Sequence, residues 1–360
     1  MEIRVFSDLG DGDLRSAWGR LEDAGACPHV FASYPWVSAW SRQFAADGEP
    51  LVIVGYDGTG PVALAPLFAD ARGVVGLPVN FLSPRGEFLL LGDGARPFVP
   101  ASLRLLRERG LRPVLRSVPR ESASFGLLSR SARGAGYYVS FRPGRAAPYL
   151  DVTMGWDEYL ATLPRKRTVR WERQVRRLER EGEVRIRELE SGTNVHDLVT
   201  GFADLETRTW KEQQGTSIRG RGLEAFYQDL CRTLCEAGML RPYWLELKGR
   251  MVAFLIGVAY RGTYFTLKTS YDEAFAKLSP GGCLFYLVIR EQFRSGISRI
   301  DFIGEQARWK DEWATGHREH ADLVLHPMTP RGTVSYVLDA RVKPLARRLR
   351  RLAPRRGPRT

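Results

Sequence analysis

The sequence predicts an α+β fold in which two mixed-sheet units follow one another, each with helices packed on both faces. Three observations carry this. The chain has 360 residues, 44% of them hydrophobic, which suffices for two cores. Short β-rich runs alternate with stretches whose apolar residues recur at helical spacing. One order of elements (strand, two helices, then strands) occurs in residues 1–150 and recurs in residues 151–330. Residues 331–360 stand apart as a basic C-terminal helix or tail.

In the first stretch, residues 2–7 read as a strand and 13–24 as an amphipathic helix. Ser33-Tyr34-Pro35-Trp36 opens a second helix reaching residue 45. Strands at 51–56 and 62–68 flank the turn Asp57-Gly58-Thr59-Gly60. A helix at 101–109, a strand at 113–118, a helix at 122–134 and strands at 137–141 and 149–152 follow. The second stretch is clearer. Helices at 156–163 and Arg165–Arg180 precede a strand at 183–189 and helices at 195–213 and 223–236. Three strands come next, at 240–247, 252–259 and 264–269. Ser279-Pro280-Gly281-Gly282 then opens an apolar helix from 283 to 293, Pro at a first helical position being a start signal. A strand at 299–303, a short helix at 306–313 and a closing strand at 321–326 complete the set.

Charge narrows the partners. The net charge is +13, but residues 341–360 hold nine Lys and Arg and no acid, leaving +4 on the other 340 residues. The body is only mildly basic, so charge does not require a general nucleic-acid-binding surface. The N-terminus lacks the charged-then-apolar signature of a signal peptide, and the longest apolar runs, such as 251–260, are half a membrane span. A cytoplasmic protein is expected. In the tail, Leu345, Leu349 and Leu352 share one side among arginines, the pattern of an interfacial helix on anionic lipid, or equally of a disordered basic tail. Four cysteines show no metal spacing, and Cys231 and Cys235 read as small buried helix residues. His317 and His320 lack a third ligand and read as a polar loop, so no metal site is expected.

Glycines at a helix start let a ligand approach bare N–H groups at the positive end of the helix dipole, which suits a phosphate or diphosphate. The arrangement YD-x-x-F-A-x-L-S-P-G-G from Tyr271, then I-D-F-I-G-E-x-x-x-W-K-x-x-W from Ile300, resembles the GNAT-type acyltransferases. Within them it is most similar to the CelD-like branch, associated with polysaccharide synthesis and related to the Fem aminoacyltransferases. Trp210-Lys211 and Gly215, after a helix holding Glu206, carry the same likeness. The resemblance covers residues 150–328 and, more weakly, 1–150. It implies a tandem (double) GNAT fold whose N-terminal copy, lacking a Ser-Pro-Gly-Gly, serves as scaffold or shapes the acceptor site.

The resemblance also implies an acyltransferase that moves an acyl group, acetyl by expectation, from acyl-CoA to an amine of a sugar or small metabolite by direct attack, without metal. It places the acyl-CoA along Leu267, Lys268, Thr269 and Ser270, with the diphosphate at Ser279, Gly281, Gly282, Cys283 and Leu284. Three carboxylates compete for the base. Asp301 sits in an apolar strand between Ile300 and Phe302 and so needs a partner or a task. Glu305 follows Gly304 on a loop. Glu206 lies four residues before Trp210, where it faces the cleft or pairs with Arg208 or Lys211. Tyr271 is the candidate acid for the leaving thiolate, or a core tyrosine. Trp210, Lys211, Trp309 and Lys310 are candidate acceptor contacts, Lys310 being also readable as half of a surface ion pair.

Two rivals remain. Fem-like relatives use aminoacyl-tRNA, and the basic helix Arg165–Arg180 could track an RNA backbone or present a solvated face. A non-catalytic adaptor binding nucleic acid or membrane through residues 341–360 is the other.

Overall fold

The computed structural model describes residues 1–44 and 48–342. They form two compact units. Met1–Tyr34, Phe44–Arg145 and the described residues from Glu319 onward make the first; Pro35–Gln43 and Ala146–Arg318 make the second.

The first unit begins with β1 (Glu2–Phe6) and α1 (Gly12–Asp23), whose start is capped by the Asp11 carboxylate. Most of α2 (Tyr34–Phe44) groups with the second unit. Then come β2 (Glu49–Asp57), β3 (Gly60–Ala69), β4 (Val74–Gly76), β5 (Leu89–Leu90), α3 (Phe98–Glu108), β6 (Arg112–Pro119), α4 (Ala123–Ser131) and β7 (Tyr137–Asp151). β1, β2, β3 and β4 pair antiparallel in that order, and β4 pairs parallel with β6. Leu51 and Ile53 of β2 share a core with Phe98, Leu103 and Leu128. Strand alternation sends Val52 and Val54 to the opposite face, where they are also buried.

The second unit continues with α5 (Trp156–Thr162), α6 (Arg165–Arg180), β8 (Val184–Glu188), α7 (Val195–Glu206), α8 (Trp210–Gln213) and α9 (Glu224–Glu236). β9 (Tyr243–Leu247), β10 (Arg250–Tyr260), β11 (Thr263–Tyr271), α10 (Pro280–Gln292), β12 (Arg299–Asp301), α11 (Arg308–Asp311), β13 (Gly316–Pro327) and α12 (Pro330–Val337) follow. β8 to β11 pair antiparallel in order, and β11 pairs parallel with β12. Ala253 and Leu255 point into the core shared with α6 and α10, while Phe254 stacks on Phe202 of α7 on the other face, ring centroids 4.5 Å apart. Helices therefore cover both faces, and the tandem α+β architecture expected from the sequence is present. In each unit the parallel pair stands at the same place in the element order, after the antiparallel run.

Several boundaries differ from the sequence reading, for local reasons. The helix expected over 195–213 breaks after Glu206. Thr207 and Thr209 turn their hydroxyls back onto the carbonyls of Asp204 and Glu206, and Thr209 then caps α8. The strand expected over 299–303 stops at Asp301, and the helix expected over 306–313 shrinks to α11. His317 and His320 lie within β13 rather than in a loop; His317 Nε2 meets Asp311 and His320 Nδ1 meets the Arg145 carbonyl, both at 2.9 Å. The division of the chain also differs from a cut at 150 and 330. The Glu319–Pro327 part of β13 belongs to the first unit, where His320 to Val324 pair with β6; Tyr149 to Asp151 of β7 pair with β12 in the second. Among the described residues no helix is long and apolar enough to cross a membrane. The leucine pattern expected in the tail lies outside the described residues.

Candidate functional site

The site begins where two parallel strands part. β11 pairs with β10 along its length, but with β12 only through Thr263–Arg299, Tyr264–Ile300 and Phe265–Asp301. Beyond that point Ile303 adopts φ 43° and Gly304 φ 64°, turning the chain away. A β-branched residue is strained in that region, so something must hold it there. Asp301 Oδ1 accepts the Ile303 N–H at 2.9 Å, and Lys310 Nζ donates to the carbonyls of Ile303 at 2.6 Å and Glu305 at 3.2 Å. The second Asp301 oxygen accepts from Arg318 Nη1 at 3.2 Å. Burial lowers the pKa of Lys310, opposed by the negative charge of Asp301 and Glu305. This pinned turn leaves the edge of β11 from Thr266 onward without β12 beside it.

The start of α10 faces that edge. Ser279 takes a left-handed φ of 55° and its hydroxyl does not cap the helix; Pro280 occupies the first turn, and Cys283 N–H bonds back to the Ser279 carbonyl at 3.0 Å. The N–H groups of Gly281 and Gly282 thus lack intrahelical acceptors and sit at the positive end of a 13-residue helix. Gly281 is needed for the approach to β11: a Cβ there would stand 3.0 Å from Tyr271 Cδ1. At Gly282 such a Cβ would meet nothing closer than Gln174 Oε1 and Ser279 Cβ, both at 3.9 Å, so the backbone there is open on its Cβ side.

That space is a cavity of about 610 Å³ walled by α6, α8, the end of β11, the start of α10 and the α11 segment. Its aromatic lining comprises Trp171, Trp210, Tyr271, Phe285, Trp309 and Trp313. Trp171 stacks flat on Trp313 at 3.5 Å, and Phe285 meets Trp309 edge-on at 5.1 Å. Trp210 and Trp309 are 43% and 44% exposed, unusual for tryptophan unless a ligand covers it. An ion pair between Arg170 and Glu312 lies on the same wall.

Glu206 closes the back of the site. Fully buried at the end of α7, it accepts from the Ile218 N–H at 2.7 Å, from Lys211 Nζ at 3.2 Å and from Lys268 Nζ at 3.0 Å. Burial pushes the Lys268 pKa down, and Glu206 pulls against it. Lys211 Nζ also donates to the Thr269 carbonyl at 2.5 Å. In a strand the N–H and C=O of one residue leave on the same edge, so this bond indicates that the Thr269 N–H faces the cavity side.

The structure therefore gathers Trp210, Lys211, Thr269, Ser270, Tyr271, Ser279, Gly281, Gly282 and Trp309 around one cavity. Leu267, Lys268, Cys283, Leu284 and Lys310 do not line it. Cys283 is buried, its thiol pushed up to about 12 by desolvation. Among the carboxylates expected as bases, Glu206 and Asp301 are engaged in ion pairs behind the wall, and Glu305 is exposed on the loop after the pinned turn. The carboxylate on the wall is Glu312, which sequence reasoning missed, as it missed Gln174 and Phe285. The spacing of Glu312 beside Trp309 and Trp313 was the available signal.

Residues 165–311 match the family model described as an acetyltransferase (GNAT) domain. The matched residues all lie in the second unit. Among solved structures, the chain is similar to FemX at 10% identity, with 94% of this chain and 99% of that one covered and a TM-score of 0.62. It is similar to the C-terminal (DUF2156) domain of an Agrobacterium fabrum protein named as a lysylphosphatidylglycerol synthetase, at 12% identity, 91% and 96% coverage and a TM-score of 0.56. L-PGS from Bacillus licheniformis follows at 13% identity, 85% and 95% coverage and 0.54. At such identities the likeness concerns the fold. No curated protein sequence matches the chain.

Proposed function

We propose that the second unit transfers an acyl group from acyl-CoA to the amine of a sugar or small metabolite, acetyl-CoA being the donor to test first. The observation that carries this is the cavity where the opened edge of β11 meets the bare N–H groups of Gly281 and Gly282. Those N–H groups and the helix dipole hold the diphosphate. The pantetheine arm adds to the β11 edge as a further strand would. Thr269 N–H then faces the thioester oxygen, where negative charge develops.

The acceptor enters between Trp210 and Trp309. Glu312 takes a proton from its ammonium, the freed nitrogen attacks the carbonyl carbon, and the oxyanion collapses with cleavage of the C–S bond. Tyr271 gives its hydroxyl proton to the departing thiolate. Glu206 and Asp301 are positioning residues, the first through Lys211 and the second through the Ile303 turn. Isothermal titration with acetyl-CoA tests the donor; the absence of heat at millimolar ligand refutes it. Glu312→Gln should lower kcat and flatten the acidic limb of the pH profile while acetyl-CoA affinity holds.

A second reading, an aminoacyl-tRNA donor, is favoured by α6. Arg173, Arg177 and Arg180 are exposed along it and have no ion-pair partner among the described residues, forming a cationic ridge that starts at Arg170 on the cavity wall. Reversing Arg173 and Arg177 to Glu should abolish transfer from charged tRNA and leave the acetyl-CoA titration unchanged.

A further inference from the structure

Charge at the back of the cavity does not balance. Glu206 is one carboxylate shared by two ammonium groups, Lys211 Nζ at 3.2 Å and Lys268 Nζ at 3.0 Å. Among the described residues no other carboxylate pairs with either lysine. Burial lowers the Lys268 pKa, Glu206 opposes it, and Lys211 and Arg221 lower it further, as expected where cations crowd one anion. A cation so little exposed and unmatched is costly, and a bound anion relieves it. Lys211 is the one of the pair that lines the cavity. Of its three N–H bonds, Glu206 and the Thr269 carbonyl take two, which leaves one for a ligand. Its place beside Thr269, rather than beside Gly281 and Gly282, puts it at the reacting end of the donor and not at the diphosphate.

Glu312 stands on a different wall, on the α11 segment, and most of the remaining lining is aromatic. We propose that the acceptor is an α-amino acid with an apolar side chain, its carboxylate on Lys211, its ammonium toward Glu312 and its side chain against the tryptophans. This rests on the acyl-CoA reading above and narrows its acceptor. The carboxylate supplies the charge that Glu206 lacks, throughout the cycle and not only in the transition state. In the transfer the N–C bond forms and the C–S bond breaks. One ammonium proton goes to Glu312 and on to solvent, and a second passes from the nitrogen through the Tyr271 hydroxyl to the sulfur. The products are an N-acyl amino acid and CoA thiol.

The test compares phenylalanine with phenylalaninamide, phenethylamine and 3-phenylpropionate, and leucine with leucinamide. Calorimetric titration of the full chain reads acceptor binding with or without acetyl-CoA, and mass spectrometry of the N-acetyl product reads turnover. Wild type should bind each amino acid at least about tenfold more tightly than its uncharged counterpart, the size of one charge-assisted hydrogen bond. Lys211→Met should abolish that preference. Equal binding of phenylalanine and its amide, or no binding of either amino acid at about 10 mM, overturns the proposal, and the wild-type comparison needs no variant to fold. So does 3-phenylpropionate binding as tightly as phenylalanine, which would leave the amine without a place. A Lys211→Met loss of kcat that is the same for every acceptor would make Lys211 an oxyanion donor instead and also overturn it. Acetyl-CoA binding without acceptor discrimination defeats this inference alone; discrimination without acetyl-CoA binding defeats the donor reading and leaves the amino-acid site standing.

Discussion

Glu206→Gln is the substitution with the largest expected consequence. The carboxylate is fully buried, and its two lysine partners are only 20% and 14% exposed. Gln keeps an acceptor for the Ile218 N–H but leaves both ammonium groups without their counter-ion. Breaking a buried pair by removing one partner costs about 3–5 kcal/mol. Lys268 can escape part of that by losing its proton. Its folded pKa already lies below the unfolded value, so the unfolded chain binds more protons and stability rises with pH between the two. Removing Glu206 lowers the folded value further. The deficit of the variant should therefore be greatest near pH 7 and shrink as pH approaches the ordinary lysine pKa of about 10.4. Urea unfolding of both proteins near neutral and near pH 10 measures this. Adding Lys268→Met should recover part of the neutral-pH loss. A variant within about 1 kcal/mol of wild type near pH 7 would refute the argument, because ordinary surface changes cost no more than that. So would a deficit that does not fall with pH.

Other substitutions separate packing from binding. Gly282→Ala should raise the unfolding midpoint, worth up to about 1 kcal/mol in a helix, while weakening acetyl-CoA binding by adding a methyl to the cavity lining; calorimetry reads both. Gly281→Ala should instead destabilise, because its Cβ would press on the Tyr271 ring. Asp301→Ala removes the acceptor of the Ile303 N–H and the partner of Arg318, and should cost about 3 kcal/mol or more in urea unfolding with loss of cavity binding. Of the cysteines, Cys27, Cys231 and Cys283 are buried and Cys235 is half-buried. Burial pushes the thiols of Cys231 and Cys283 up to about 12, so at pH 8 a thiol reagent should label Cys235 first and leave Cys283 intact until the protein unfolds.

The start of α10 was legible because Pro and Gly write their backbone preferences locally: Pro280 at a first turn and two glycines beyond it give the same element in the sequence and in the structure. Placing Thr269, Tyr271 and Trp210 near it followed from family resemblance, and the structure gathers them on one cavity. The partners of the buried charges were not legible. Glu206 meets Lys268 across the fold, and Asp301 meets Arg318 on another strand. Nothing in the spacing of 206 and 268 distinguishes a reactive carboxylate from a bound one, because desolvation depends on what packs around it.

By itself, then, the sequence determined the class of fold, the repeated order of elements and the glycine-opened helix start, all consequences of side-chain periodicity and local φ preferences. Only the tertiary structure decided that the residues of β7 and of β13 are divided between the two units, that β12 turns away from β11 at Ile303, and that Glu312 rather than Glu206 or Asp301 stands on the cavity wall. Strand partners and buried ion pairs are long-range choices, fixed by which surfaces leave water together, and a linear chain carries no mark of them.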